Sequence, residues 1–91
     1  MNYESIILRK NNEKDVEFTG VIVARNSNIL VYETPKGHWV CSVFDIHGKS
    51  VRHEIIENKN AEKLHELLGD SDTAKSIYSD LGLNFNDKLD L

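Results

Sequence analysis

Hydrophobic periodicity changes once along the chain, at Asn58. Before it, runs rich in β-branched residues are broken by polar clusters roughly every ten residues, the pattern of an antiparallel meander. The runs cover residues 3–9, 16–25, 29–34, 38–46 and 50–57. The breaks include Asn26-Ser27-Asn28, Pro35-Lys36-Gly37 and His47-Gly48-Lys49. After Asn58, apolar residues recur at helical spacing, first Leu64, Leu67 and Leu68, then Ala74, Ile77, Tyr78 and Leu81. Asn60 suits the start of the first helix and Gly69 its end, while Ser71 or Asp72 starts the second and Gly82 ends it. Strands first and helices afterwards predict an α+β fold. We expect an antiparallel β-meander of about five strands over about 3–57, followed by two C-terminal helices over about 60–82 packed on one face. The tail, 83–91, alternates apolar and polar residues and predicts an added strand, a docking segment or a frayed end.

At 91 residues a single domain spanning 1–91 with one modest core is expected. No apolar run is long enough to cross a membrane, and the acid at Glu4 does not suit a signal peptide. The one cysteine, Cys41, cannot form an internal disulfide, so a reducing, cytoplasmic setting is expected. Eleven Lys and Arg against fifteen Asp and Glu leave a net charge of −4, and Arg9-Lys10 is the only adjacent basic pair. Phosphate backbones require several cations on one face, which argues against nucleic acid as a partner. Residues 59–91 hold four basic and seven acidic groups, so most of the excess is C-terminal.

Turn chemistry sets an expected register. Thr34-Pro35-Lys36-Gly37-His38 fits a three-residue hairpin loop, with Pro35 presetting the turn and Gly37 left-handed. Tyr32 then faces Val40, and Val31 faces Cys41. A two-residue loop at Asn26-Ser27 sets Ala24 opposite Ile29 and Ile22 opposite Val31. Alternation along each strand defines two faces. The first holds Val16, Phe18, Ile22, Ala24, Ile29, Val31, Trp39, Cys41 and Val43, joined by Val51, His53 and Ile55 if the last hairpin keeps parity. The helices are expected there. The second holds Val21, Val23, Leu30, Tyr32, Val40, Phe44 and Ile46. It is too apolar for a solvated face, so a partner covers it or the sheet curls over it.

Reactive groups are few. His38 and Cys41 point to opposite faces, and no His pair has zinc-ligand spacing, so no metal and no cofactor is expected. Cys41 and His53 share the first face in this register, the arrangement a Cys–His pair requires, although a buried cysteine acts as a small hydrophobe. Trp39 is expected in the core.

Four stretches carry a family likeness. Phe18-Thr19-Gly20-Val21-Ile22-Val23-Ala24 precedes Tyr32-Glu33-Thr34-Pro35-Lys36-Gly37-His38-Trp39-Val40. Leu67-Leu68-Gly69 then leads into Ala74-Lys75-Ser76-Ile77-Tyr78-Ser79-Asp80-Leu81-Gly82-Leu83. Over about residues 16–83 the chain resembles the small, functionally uncharacterised bacterial EXLDI proteins. The resemblance implies a bacterial, phage or plasmid origin and carries over no reaction and no catalytic residue. The expected function is a non-enzymatic, protein-binding or regulatory one, through the second face or by self-association into a homo-oligomer. Its contact residues would be Tyr32, Val40, Phe44, Val21, Val23 and Leu30, with the acidic helix end as a second surface. The alternative is a small-molecule pocket between sheet and helices near Trp39 and His53.

Overall fold

The computed structural model describes residues 2–85. Five strands, β1 (Glu4–Leu8), β2 (Val16–Asn26), β3 (Ile29–Glu33), β4 (Trp39–Phe44) and β5 (Ser50–Ile56), precede α1 (Ala61–Leu68) and α2 (Asp72–Asp80). The strands pair antiparallel in chain order, and the α+β architecture is the expected one.

The central hairpin has the register that its turn dictates. Tyr32 faces Val40 and Val31 faces Cys41. The Gly37 amide donates to the Thr34 carbonyl at 3.0 Å with φ at +83°, a conformation that glycine adopts without Cβ strain. The helices follow their caps. Asn60 Oδ1 accepts from the Lys63 amide at 3.2 Å, and Ser71 Oγ accepts from the Ala74 amide at 3.1 Å. Gly82 ends α2 at φ +75°, and the Leu83 amide reaches back to the Tyr78 carbonyl at 2.8 Å. The stripes Leu64 and Ala74, Ile77, Tyr78 are buried against Ala24, Val31, Trp39, Cys41 and Ile56 of the sheet. This is the helix-covered core. Leu83 and Phe85 pack against it, and the rest of the expected tail segment, 86–91, lies outside the described residues.

Two β-bulges overturn part of the expected face assignment. Ile22 pairs with Tyr32 and Ala24 with Val31, so Val23 is an extra residue in β2. A single extra residue exchanges the faces of everything before it. Val16, Phe18 and Ile22 therefore lie on the face opposite Ala24, and Val21 moves to the helix side, opposite Glu33. The turn is also displaced, because Asn26 pairs with Ile29. In the last hairpin Val43 faces Arg52 but Phe44 faces Ser50, so Val51 is extra. Ile56, paired with Trp39, takes the helix side, and His53 and Ile55 pair with Ser42 and Val40 on the other.

Bulges bend strands and increase twist, and this sheet curls. The C-terminal end of β1 reaches across to the start of β5, where the Ser50 amide donates to the Arg9 carbonyl at 2.7 Å. Lys10 Nζ lies 3.0 Å from His53 Nδ1 at the same seam. Inside the curl Leu8, Tyr32 and Val40 form a second core, with Ile6, Val16, Phe18, Leu30 and Phe44 packed around it. Phe18 meets Tyr32 edge to face, with ring centroids 5.2 Å apart. Gly20 permits this: a Cβ there would stand 3.0 Å from the Phe18 ring and 3.1 Å from the Glu33 carbonyl oxygen. The Ser42 and Ser50 hydroxyls, both buried, bond to each other at 2.7 Å.

Candidate functional site

The centre of the expected contact surface is not presented to solvent. Tyr32 and Val40 retain only 4% and 5% of their exposure because the chain's own β1 and β2 side chains cover them. Leu30 and Phe44 are half-buried at the margin of the same cluster. Val21 and Val23 are half-buried on the other side of the sheet, Val23 against the helix-covered core. Ile46, in the turn after β4, is 96% exposed and belongs to neither core. The six residues do not share one surface.

The Cys–His constellation also dissolves. Cys41 pairs with Glu54, one residue from His53, so the two side chains project to opposite faces. Burial pushes the Cys41 thiol up to about 11, which leaves it a small hydrophobe in the helix-covered core. Trp39 is buried in that core, as expected, and on the opposite side of the sheet from His53. A hollow of about 400 Å³ does lie beside Trp39, between sheet and α2, but its walls include Glu33, Lys59 and Asp80. Lys59 and Glu33 already form an ion pair. At the acidic helix end, Asp70 is 2.7 Å from His65 Nε2, and Asp80 accepts from the Arg25 amide at 3.4 Å. Among the described residues no group of three or more His, Cys, Asp or Glu is placed to hold a metal ion, and no helix is long and apolar enough to cross a membrane.

A more apolar opening lies at the end of the curl away from its seam. The Arg9–Ser50 seam closes one end of the sheet, and toward the other lie Phe18 of β2 and Ile55 of β5. A groove of about 470 Å³ lies between them, walled by Phe18, Val40 and Ile55 and capped by Pro35 and Thr34 of the central hairpin. Lys36 and His38 stand among its lining residues. Nδ1 of His38 accepts from the Asn58 amide at 2.9 Å. That bond requires a lone pair on Nδ1, so the ring proton sits on Nε2 and can donate. Asn58 holds its position with φ at +54°, a conformation that Asn tolerates better than most residues.

No family model, no curated protein and no solved structure matches the chain.

Sequence reasoning missed Phe18, Pro35, His38 and Ile55 as a set. Pro35 and His38 were legible as hairpin residues beside Val40. Phe18 and Ile55 were not, because each was assigned to the wrong face by one unseen bulge.

Proposed function

We propose that the protein is a non-enzymatic binding domain that takes a small apolar molecule bearing an anionic end in the groove between β2 and β5. The groove itself carries this reading. Its volume falls within the range of roughly 300–1,000 Å³ typical of ligand clefts, and its walls are apolar with a few donors. The Lys36 ammonium and the His38 Nε2–H supply positive charge and a hydrogen bond at one end, whereas Phe18, Val40 and Ile55 offer only apolar surface. A carboxylate on a short alkyl or aryl body complements both. A broad protein contact centred on Tyr32 is less well supported, because the curl already covers that residue. The EXLDI likeness rests on turn and cap residues and contributes no site residue to this reading.

Octanoate is a suitable probe. Titration followed by amide NMR is expected to shift resonances of Phe18, Thr19, Thr34, Lys36, His38 and Ile55, with a Kd on the order of 0.1–1 mM. Thr19→Trp, at an exposed lining position, is expected to fill the groove and abolish the shifts. Lys36→Glu is expected to weaken octanoate more than neutral 1-octanol. Shifts confined to other parts of the surface, or equal losses for both probes, would contradict the proposal.

A further inference from the structure

We infer that the Phe18 ring is the stop for the apolar tail of a ligand in the groove, so that the groove selects unbranched carboxylates of medium chain length. This rests on the reading of the groove as a ligand site. The strand register sets its levels. Ile55, Val40 and Tyr32 stand side by side across β5, β4 and β3 and make one apolar row. Thr34 and His38 lie toward the hairpin from this row, with the donors of the charged end. In the other direction the next row is His53, Ser42 and Leu30. It is polar at its β5 side: Lys10 Nζ meets His53 Nδ1 at 3.0 Å, and the Ser42 hydroxyl bonds to that of Ser50 at 2.7 Å. Two residues along an antiparallel strand advance about 6.8 Å, so about 14 Å separates the level of His38 from that of Ser42. An extended chain of eight carbons, at about 1.2 Å per bond, is about 8 Å long. Such a tail covers the single apolar row, and a longer one meets Phe18 or the polar row.

Phe18 is fixed from three directions. Its ring meets Tyr32 edge to face, with centroids 5.2 Å apart. It leans over Gly20, where a Cβ would stand 3.0 and 3.3 Å from two of its ring carbons. It also packs against the cluster of Leu8, Tyr32 and Val40. Leu8 and Tyr32 are 1% and 4% exposed, so the space behind the ring is filled. The ring can therefore yield only toward the groove. It stands between the groove and Tyr32, and a tail cannot reach the curled core without displacing it. Gly20 and Phe18 act together, because the missing Cβ of one lets the other lie back from the groove. A side chain at residue 20 would press the ring into the groove and shorten the tail it accepts. A smaller side chain at residue 18 would open the groove onto Tyr32 and lengthen it.

Amide NMR titrations with hexanoate, octanoate and decanoate on the wild type, Phe18→Leu and Gly20→Ala test the stop, with circular dichroism to confirm folding. In the wild type the Kd is expected to fall roughly tenfold from hexanoate to octanoate, as two more methylenes are buried, and to fall no further for decanoate. Phe18→Leu is expected to bind decanoate about fivefold or more tightly than octanoate. Gly20→Ala is expected to bring the plateau down to hexanoate. If Gly20→Ala does not fold, the conservative Phe18→Leu decides alone. A wild-type Kd that keeps falling as steeply to decanoate would overturn the inference, and so would a chain-length profile that is unchanged in a folded variant. Groove resonances that respond to none of the three acids would instead overturn the reading of the groove as a ligand site, and the stop with it.

Discussion

The two faces of this sheet are about equally apolar but are covered in different ways. On one, separate elements do the covering: α1 and α2 present Leu64, Ala74, Ile77 and Tyr78 to Val31, Trp39, Cys41 and Ile56. On the other, the sheet covers itself. Two bulges turn β2 and β5 inward, and β1 brings Leu8 over Tyr32 and Val40. An apolar face on a small domain therefore does not by itself call for a partner, because one extra residue in a strand can turn the neighbouring strands into the cover. The helix side is sealed by side chains whose positions are fixed by caps. The curled side is sealed where the Arg9 carbonyl meets Ser50 and Lys10 meets His53, and a groove lies toward its far end.

The comparison breaks most readily at the centres of the two cores. Leu8→Ala and Ile77→Ala each remove a side chain that is at most 1% exposed, and both are expected to cost about 2–5 kcal/mol in urea denaturation. A Leu8→Ala cost within the scatter of a surface substitution, about 0.5 kcal/mol, would mean that the curled core is not formed. Gly20→Ala comes next. The new Cβ would crowd the Phe18 ring and the Glu33 carbonyl, for an expected loss of about 1–3 kcal/mol. Its effect should fall on the curled side, broadening Tyr32 ring resonances before those of Tyr78. On the helix side, Ser71→Ala removes the acceptor for the Ala74 amide and is expected to cost about 1 kcal/mol, read by the same denaturation.

The smallest effect concerns the β4–β5 turn that introduces the bulged strand. Asp45 Oδ1 accepts from the Lys49 and His47 amides, both at 2.9 Å. The Lys49 bond is the main cause that holds this carboxyl below its ordinary value. Its folded pKa is depressed, so its stabilising contribution is fully present above the ordinary carboxylate value of about 4 and is lost as pH falls through the folded one. Asp45→Asn is expected to flatten that part of the acid unfolding curve. An unchanged acid limb would remove the turn from the account.

Much of this fold was legible in the sequence wherever a local rule decides geometry. Pro35-Lys36-Gly37 sets the central register, and Asn60, Gly69, Ser71 and Gly82 mark the helix ends. The burial of Trp39 followed from that register. The faces of β2 and β5 were not legible beyond Val23 and Val51. A bulge leaves no turn residue behind, and a run of valines and isoleucines reads alike in either phase. The candidate site inherited that blindness, since Phe18 and Ile55 reach the groove only through the two phase changes. The packing of the Phe18 ring against Gly20 was hidden by the same phase change.

The sheet folds over its own second face. Nuclear Overhauser measurements between the Leu8 methyls and the Tyr32 ring or Val40 methyls test it most directly. Strong cross-peaks are expected, because these three residues form the core of the curl. Leu8 methyls that show contacts only to their strand neighbours Ile6, Val16 and Phe18 would contradict it.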